Sequence, residues 1–386
     1  MNVLWLSWKD CSHPQAGGAE VVSNELRKRL VADGHKVRLL TADVKNLSSK
    51  TTKDGVEIFR TGNKYTVYAN AKKLYKKSMK DWPDLIVDEM NTIPFLSFKY
   101  SKDAPSVLLT YQLAREVWFY QMMFPLSWLG YLIEPIYLRY MSHNKYKLVL
   151  TESESTRKDL VKYGFSIDRI KTFRVGMYMK PVEKLTSKKN IDTVLYLGSV
   201  RPMKQTLHAV IAFELARDKL PNIMMSIIGD YSGRYGDKVA EYISLSRHKE
   251  AIALHGRVSA QRKEELVKQA DIIVITSVKE GWGLIATEAA SQGLPAVGYA
   301  TDGLRDSILD GKTGLLAKPN DQTDLANKME RLLTDKKLYT SLRLAGLEYS
   351  RQFTFENSYA DFTESLGILA GTRKSIRKAT SGKKKN

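Results

Sequence analysis

Short apolar runs recur along this chain at even intervals, rich in β-branched residues, with stretches of helical periodicity between them. In the first half they are VLWLS (3–7), KVRLLTA (36–42), VEIFRT (56–61), DLIVDE (84–89), SVLLTYQ (106–112) and KLVLTES (147–153). In the second they are TVLYLGS (193–199), MMSIIGD (224–230), IALHGRV (252–258), DIIVITS (271–277) and LPAVGYA (294–300). Runs of this kind read as strands buried on both faces. Strands alternating with helices predict parallel sheets covered by helices on each side.

The polar stretch KPVEKLTSKKNID (180–192) separates the two series. It predicts an N-terminal Rossmann-like domain over 1–179, a linker over 180–192 and a C-terminal domain over 193–370, whose last helix has the option of packing back on the first domain. The remainder, 371–386, reads as a basic mobile tail. Two doubly wound α/β units joined by a hinge would face each other across a cleft. Ligands of such sheets bind beyond the C-terminal ends of the strands, so the residues just after each strand are the ones to inspect.

Three of those turns carry chemistry. After 271–277 the chain reads Glu280-Gly281-Trp282-Gly283 and enters a helix at Leu284 that carries Glu288 and ends at Gly293. Glycines at a strand-to-helix turn let amides approach an anion, and the helix N-terminus adds partial positive charge. Carboxylates at either side accept hydrogen bonds from sugar hydroxyls. A surface turn with two solvated acids explains the spacing equally well. After 193–199 comes Gly198-Ser-Val-Arg201-Pro-Met-Lys204, a fork of donors and a point charge suited to a diphosphate, or two ordinary surface cations. After the first strand, Gly17 and Gly18 open a helix.

Taken together and in order, these segments resemble the family-4 retaining glycosyltransferases. EGWGLIATEAASQG resembles their pair of glutamates with seven residues between them, GSVRPMK their Arg-x-x-Lys diphosphate motif, and GGAE their N-terminal glycine loop. The resemblance implies a GT-B fold and a nucleotide diphosphate sugar as donor, UDP-sugar ahead of GDP-sugar, with no further cofactor and no metal. It implies that Glu280 contacts the transferred sugar and Glu288 the ribose, and that Arg201 and Lys204 neutralise the diphosphate. Amides near Gly281, Gly283 and Leu284 would bind phosphate oxygens, Gly17 and Gly18 would face the donor, and Val258 in HGRV would flank the base. QLAREVWFY, with Tyr111, Gln112, Arg115 and Glu116, is similar to a segment on the acceptor or donor-sugar side. Many relatives have a histidine where this chain has Tyr111, which keeps a hydroxyl but is no cation near neutral pH.

Charge adds a partner. The net charge is +19, yet residues 201–370 balance; the excess lies in 1–200, with 32 Lys+Arg against 20 Asp+Glu, and in the tail. That asymmetry points to an anionic surface. AKKLYKKSMK sets Lys72, Lys76 and Lys80 at helical spacing with Lys73 and Lys77 alongside. Residues 117–141 supply Trp118, Phe119, Tyr120, Met122, Met123, Phe124, Trp128 and Tyr131. This combination suits a membrane interface. No nucleic-acid module is present. The longest uncharged run, 117–133, is shorter than the ~20 residues a spanning helix needs, and Pro125 interrupts it. With a lone cysteine, Cys11, and no secretory leader in MNVLWLSWKD, the expected setting is the cytoplasm, at the inner face of the membrane. The acceptor would be a lipid-linked or other glycan.

Overall fold

The computed structural model describes residues 1–101, 103–143, 145–188 and 191–367. The basic tail and two linker positions, 189 and 190, lie outside the described residues.

The first sheet is built from β1 (Asn2–Leu6), β2 (Lys36–Thr41), β3 (Lys50–Lys53), β4 (Val56–Arg60), β5 (Leu85–Met90), β6 (Ser106–Thr110), β7 (Leu148–Thr151) and β8 (Ile170–Thr172), in the order β3-β4-β2-β1-β5-β6-β7-β8. Every pairing is parallel except β3 with β4. The two strands that the apolar pattern misses here are edge strands. KTTK has no apolar residue, and IKT has one, so neither can announce itself by hydrophobicity.

The second sheet holds β9 (Thr193–Leu197), β10 (Met224–Ile228), β11 (Ile252–Gly256), β12 (Ile272–Ile275), β13 (Ala296–Tyr299) and β14 (Gly314–Ala317), in the order β11-β10-β9-β12-β13-β14. All its pairings are parallel. Renumbered within the unit, this is the 3-2-1-4-5-6 order of a dinucleotide-binding sheet, whose winding reverses between β9 and β12. The core lies on both sides of each sheet. In the second unit one face packs Val194, Tyr196, Val274 and Val297 under the helices Thr206–Arg217 and Gln322–Thr334. The other packs Leu195, Ile273 and Ile275 under Leu284–Ser291.

The chain divides into two compact units, and the division is not a single cut. One contains Met1–Arg115, Gly130–Gly176 and the described residues from Thr354 onward; the other contains Glu116–Leu129 and Met177–Phe353. The C-terminal helical residues, 355–367, therefore belong with the first sheet. Phe362 is fully buried there, with its ring 5.8 Å from Trp5 and 6.4 Å from Phe173. Beside it the Arg174 guanidinium forks onto Asp361, with Nε to Oδ2 at 2.7 Å and Nη2 to Oδ1 at 2.6 Å. The turn Trp118–Gln121 groups with the second unit, where it lies against Pro202–Lys204.

Candidate functional site

In the second unit the turns after β9 and β12 leave adjacent strands at the point where the winding reverses, and the backbone binds them together. Val278 N–H donates to the Met203 carbonyl at 2.9 Å. The Thr276 hydroxyl donates to the carbonyls of Lys204 and Gln205, at 2.8 and 3.0 Å. This stitching carries Lys204 onto Glu280: its ammonium bonds Glu280 Oε1, and Ser277 Oγ donates to the same oxygen at 2.5 Å. Both charged side chains are largely shielded, at 15% exposure each, where the pairing of opposite charges is screened less than at an open surface. Arg201 is exposed in the same turn, and the buried Tyr196 phenol lies within electrostatic reach of both Arg201 and Glu280.

Two glycines fix the approach. Gly283 has φ +92° and caps the helix Leu284–Ser291; a Cβ there would lie 2.8 Å from Leu304 and 2.9 Å from the Ser307 hydroxyl. Only a residue without a side chain turns the chain here, leaving the first helical amides of Leu284 and its successor without intrahelical partners. After β13, Gly303 sits with φ +79° so close to Glu280 that a Cβ would be 2.3 Å from the Glu280 carbonyl oxygen. Glu280 N–H in turn donates to the Asp302 carbonyl at 3.0 Å. Asp302 is held by Lys279 at 3.3 Å and by Arg305 at 2.6 Å. Those cations hold its carboxyl below the usual range despite burial.

Glu288 lies further along the same helix and pairs with Lys263 at 2.9 Å. Val258, half-buried just after β11, packs its side chain against the core under this helix. The sequence reading thus meets its residues Lys204 and Glu280 in direct contact, with Arg201, Gly281, Gly283 and Leu284 in the two stitched turns and Glu288 on the helix they open. It missed Lys263, Ser277, Asp302 and Gly303. Only Gly303, in the TDG turn after a strand, carried a local signal; Lys263 sits mid-helix in a charged run and looks solvated.

The expected residues of the first unit serve the fold more than an open site. Gly17 caps the helix Gly18–Ala32, and its N–H donates to Glu20 Oε2 at 2.7 Å, closing the glycine loop on itself. Tyr111 is buried: its hydroxyl meets Ser23 Oγ at 2.5 Å, and Ser23 donates to Glu89 Oε2 at 2.9 Å. Burial pushes the phenol well above its ordinary value, with the Glu89 charge adding to the effect. The Tyr111 hydroxyl is therefore spent inside the unit. Arg115 is committed as well. It donates from its backbone to Glu134 at 2.6 Å and from Nη1 to the Tyr131 carbonyl at 3.0 Å, with its guanidinium 4.1 Å from the Tyr131 ring. Gln112 lends its carbonyl to Thr110 at 3.3 Å, and its buried Oε1 has no hydrogen-bond partner. Glu116 is exposed.

Known proteins match this sequence and this fold. The family description "Glycosyltransferase Family 4" matches residues 16–176, and "Glycosyl transferases group 1" matches 180–348. A D-inositol 3-phosphate glycosyltransferase of Corynebacterium aurimucosum is 28% identical over 238 residues, which are 55% of this chain and 56% of that protein. The chain spans about half the length of the curated relatives it matches. Sucrose-phosphate synthase from Thermosynechococcus elongatus superimposes with a TM-score of 0.77 at 17% identity, covering 96% of this chain and 99% of that one. Anabaena Alr3699/HepE in complex with UDP-glucose superimposes with a TM-score of 0.72 at 18% identity, covering 95% and 100%. The two parallel-sheet α/β units are those of the GT-B fold.

Proposed function

Because this chain belongs to the family-4 glycosyltransferases, we propose that it transfers a sugar, with retention, from a nucleotide diphosphate sugar to a hydroxyl of a lipid-linked or other glycan acceptor. The observation that carries this reading is the Lys204–Glu280 pair, set at the winding reversal beside a glycine-opened helix. Lys204 and Arg201 are the charges for a diphosphate, and the helix amides add donors to its oxygens. Glu280 takes hydroxyls of the sugar, and Glu288 takes the ribose. UDP is the favoured nucleotide, as in the Anabaena relative's complex.

In the transfer, the bond between the anomeric carbon and the diphosphate oxygen breaks while the acceptor oxygen bonds the same face of that carbon. The acceptor's proton passes to the departing phosphate. The protein's part is to position the reactants and to stabilise charge developing on the diphosphate, which preorganised cations do without reorganising during reaction. A thermal-shift screen of nucleotide sugars tests the donor, since a ligand of the native state raises the melting temperature. A rise with UDP-sugars, followed by sugar transfer to a glycan, supports the proposal. No shift with any nucleotide sugar overturns it, and binding without transfer to any acceptor favours a non-catalytic partner.

Support for a membrane-facing site of action comes from the helix Leu126–Ser142, which buries Leu138 and Met141 in the core yet leaves a long apolar stripe exposed. Glu134 is on its buried side, accepting from the amides of Ala114 and Arg115, while Leu129, Leu132, Ile133, Ile136 and Tyr140 make an exposed stripe at helical spacing. Ile136 is 68% exposed and Leu132 60%; in the preceding turn Met123 reaches 84% and Phe124 80%. Lys99 and Lys145 lie 4.7 and 5.3 Å from the Tyr140 ring at the end of the stripe. An apolar face edged by cations is the character of a helix lying in a lipid interface. The basic helix Val67–Ser78 turns Ala71 and Tyr75 inward and exposes Lys72, Lys73, Lys76 and Lys77, with Lys80 just beyond its end. Each lysine near an anionic leaflet contributes ~1 kcal/mol. Of the aromatic residues, Trp118 is buried and belongs to the core instead. Among the described residues no helix is long and apolar enough to cross a membrane.

A further inference from the structure

Each carboxylate of the glycine turn and its helix is met by a lysine from a distant part of the same unit. Lys204 meets Glu280. Lys263, on the helix Ala260–Gln269, meets Glu288 Oε2 at 2.9 Å. The two pairs differ in exposure. Lys263 is 33% exposed against 15% for Lys204, while Glu288 is 18% exposed. A glutamate on a helix has three rotatable bonds, and alone it would sample several directions. A lysine bound to one of its oxygens removes most of that freedom and leaves the second oxygen able to accept. The neighbouring cation does not compete, because Arg262 is drawn away to Glu265 at 3.0 Å.

We propose that Lys263 is a positioning residue for nucleotide recognition: through its ion pair it aims the remaining oxygen of Glu288 at the ribose hydroxyls, so that the site selects ribonucleotides over 2′-deoxyribonucleotides. This inference rests on the reading of Glu288 as the ribose contact. A correctly aimed carboxylate gains a charge-assisted hydrogen bond from the 2′-hydroxyl, and a mobile one must first be ordered. Lys263 therefore acts on one hydroxyl, not on the phosphates.

The test is calorimetric titration of the full chain with UDP, GDP and ADP, and then of the tightest of these against its 2′-deoxy form, for the native protein and for Lys263→Met, Lys263→Arg and Glu288→Gln. The native protein is expected to prefer the ribose form by about tenfold, the scale of one hydrogen bond to a charged group. Lys263→Met should weaken the ribose form and spare the deoxy form, so the preference nearly vanishes; Lys263→Arg should restore it, and Glu288→Gln should abolish it. An unchanged preference in Lys263→Met, or equal weakening of both forms, overturns the proposal. If Glu288→Gln loses the preference and Lys263→Met keeps it, the ribose reading stands and this inference alone falls. If Glu288→Gln also keeps it, or no nucleoside diphosphate binds, the reading beneath it fails.

Discussion

Glu89→Gln should change how stability depends on pH. Glu89 lies on β5 in the middle of the first sheet, fully shielded from solvent. Trp5 Nε1 donates to its Oε2 at 2.6 Å and Ser23 Oγ at 2.9 Å, while Arg27 Nη1 stands 3.9 Å away and its Oε1 has no hydrogen-bond partner. Burial pushes the carboxyl up from an ordinary 4.5 to about 7, against the pull of Arg27. The fold thus prefers the neutral acid. Below the unfolded value both states are protonated and nothing is lost. As pH rises through the window from 4.5 to about 7, the unfolded chain releases its proton first and stability falls. At ~1.4 kcal/mol per tenfold in proton affinity, the whole window amounts to about 3 kcal/mol. Glutamine stays neutral and keeps an acceptor for Trp5 or Ser23. The stability difference between variant and native chain should therefore move in favour of the variant by up to about 3 kcal/mol between acid and mildly alkaline conditions. Asp88, raised by burial in the same way, is present in both proteins and drops out of the difference. Hydrogen exchange at the amides of β1 and β5, which reports local opening, measures it for this unit alone. A difference that stays flat with pH would refute the linkage.

Arg201→Ala and Lys204→Ala should each lower kcat by about 10²-fold, the scale of one lost charge-stabilising donor; near-normal turnover in both would remove their assigned roles. Gly303→Ala should lower the unfolding free energy by more than ~1 kcal/mol, because alanine resists the positive φ and its methyl strikes the Glu280 carbonyl. The same variant should lose transfer through the displaced Glu280 while keeping nucleotide binding through Glu288, and native stability and turnover in Gly303→Ala would contradict the contact. The protein should sediment with anionic vesicles at low salt and leave them at high salt. Leu132→Glu with Ile136→Glu should weaken that binding while leaving transfer to a soluble acceptor intact, and equal binding of native and doubly substituted protein would remove the helix from the interface.

The alternation of buried strands and periodic helices was enough to predict two parallel-sheet units, since a strand covered on both faces must be apolar throughout its length. The turn after β12 was readable because a chain that turns through positive φ straight into a helix needs glycine there. Order along the chain, however, does not say which turns become neighbours. That β9 and β12 adjoin is a property of the sheet, and this adjacency brings Lys204 to Glu280 across 76 residues, while the packing of the helices on either side of β12 brings Lys263 to Glu288 across 25. The same holds for burial. Tyr111 and Arg115 follow a strand, as a site residue would, yet Ser23 and Glu134 claim them from elements distant in sequence. Residues 117–141 read as one aromatic patch, but the packing divides them, taking Trp118 into the core and leaving Phe124 and Trp128 exposed. Hydrophobicity and backbone freedom are local properties and are written in the sequence. Whether a charge or hydroxyl is spent on the fold or left to a ligand depends on partners that only tertiary structure brings within reach.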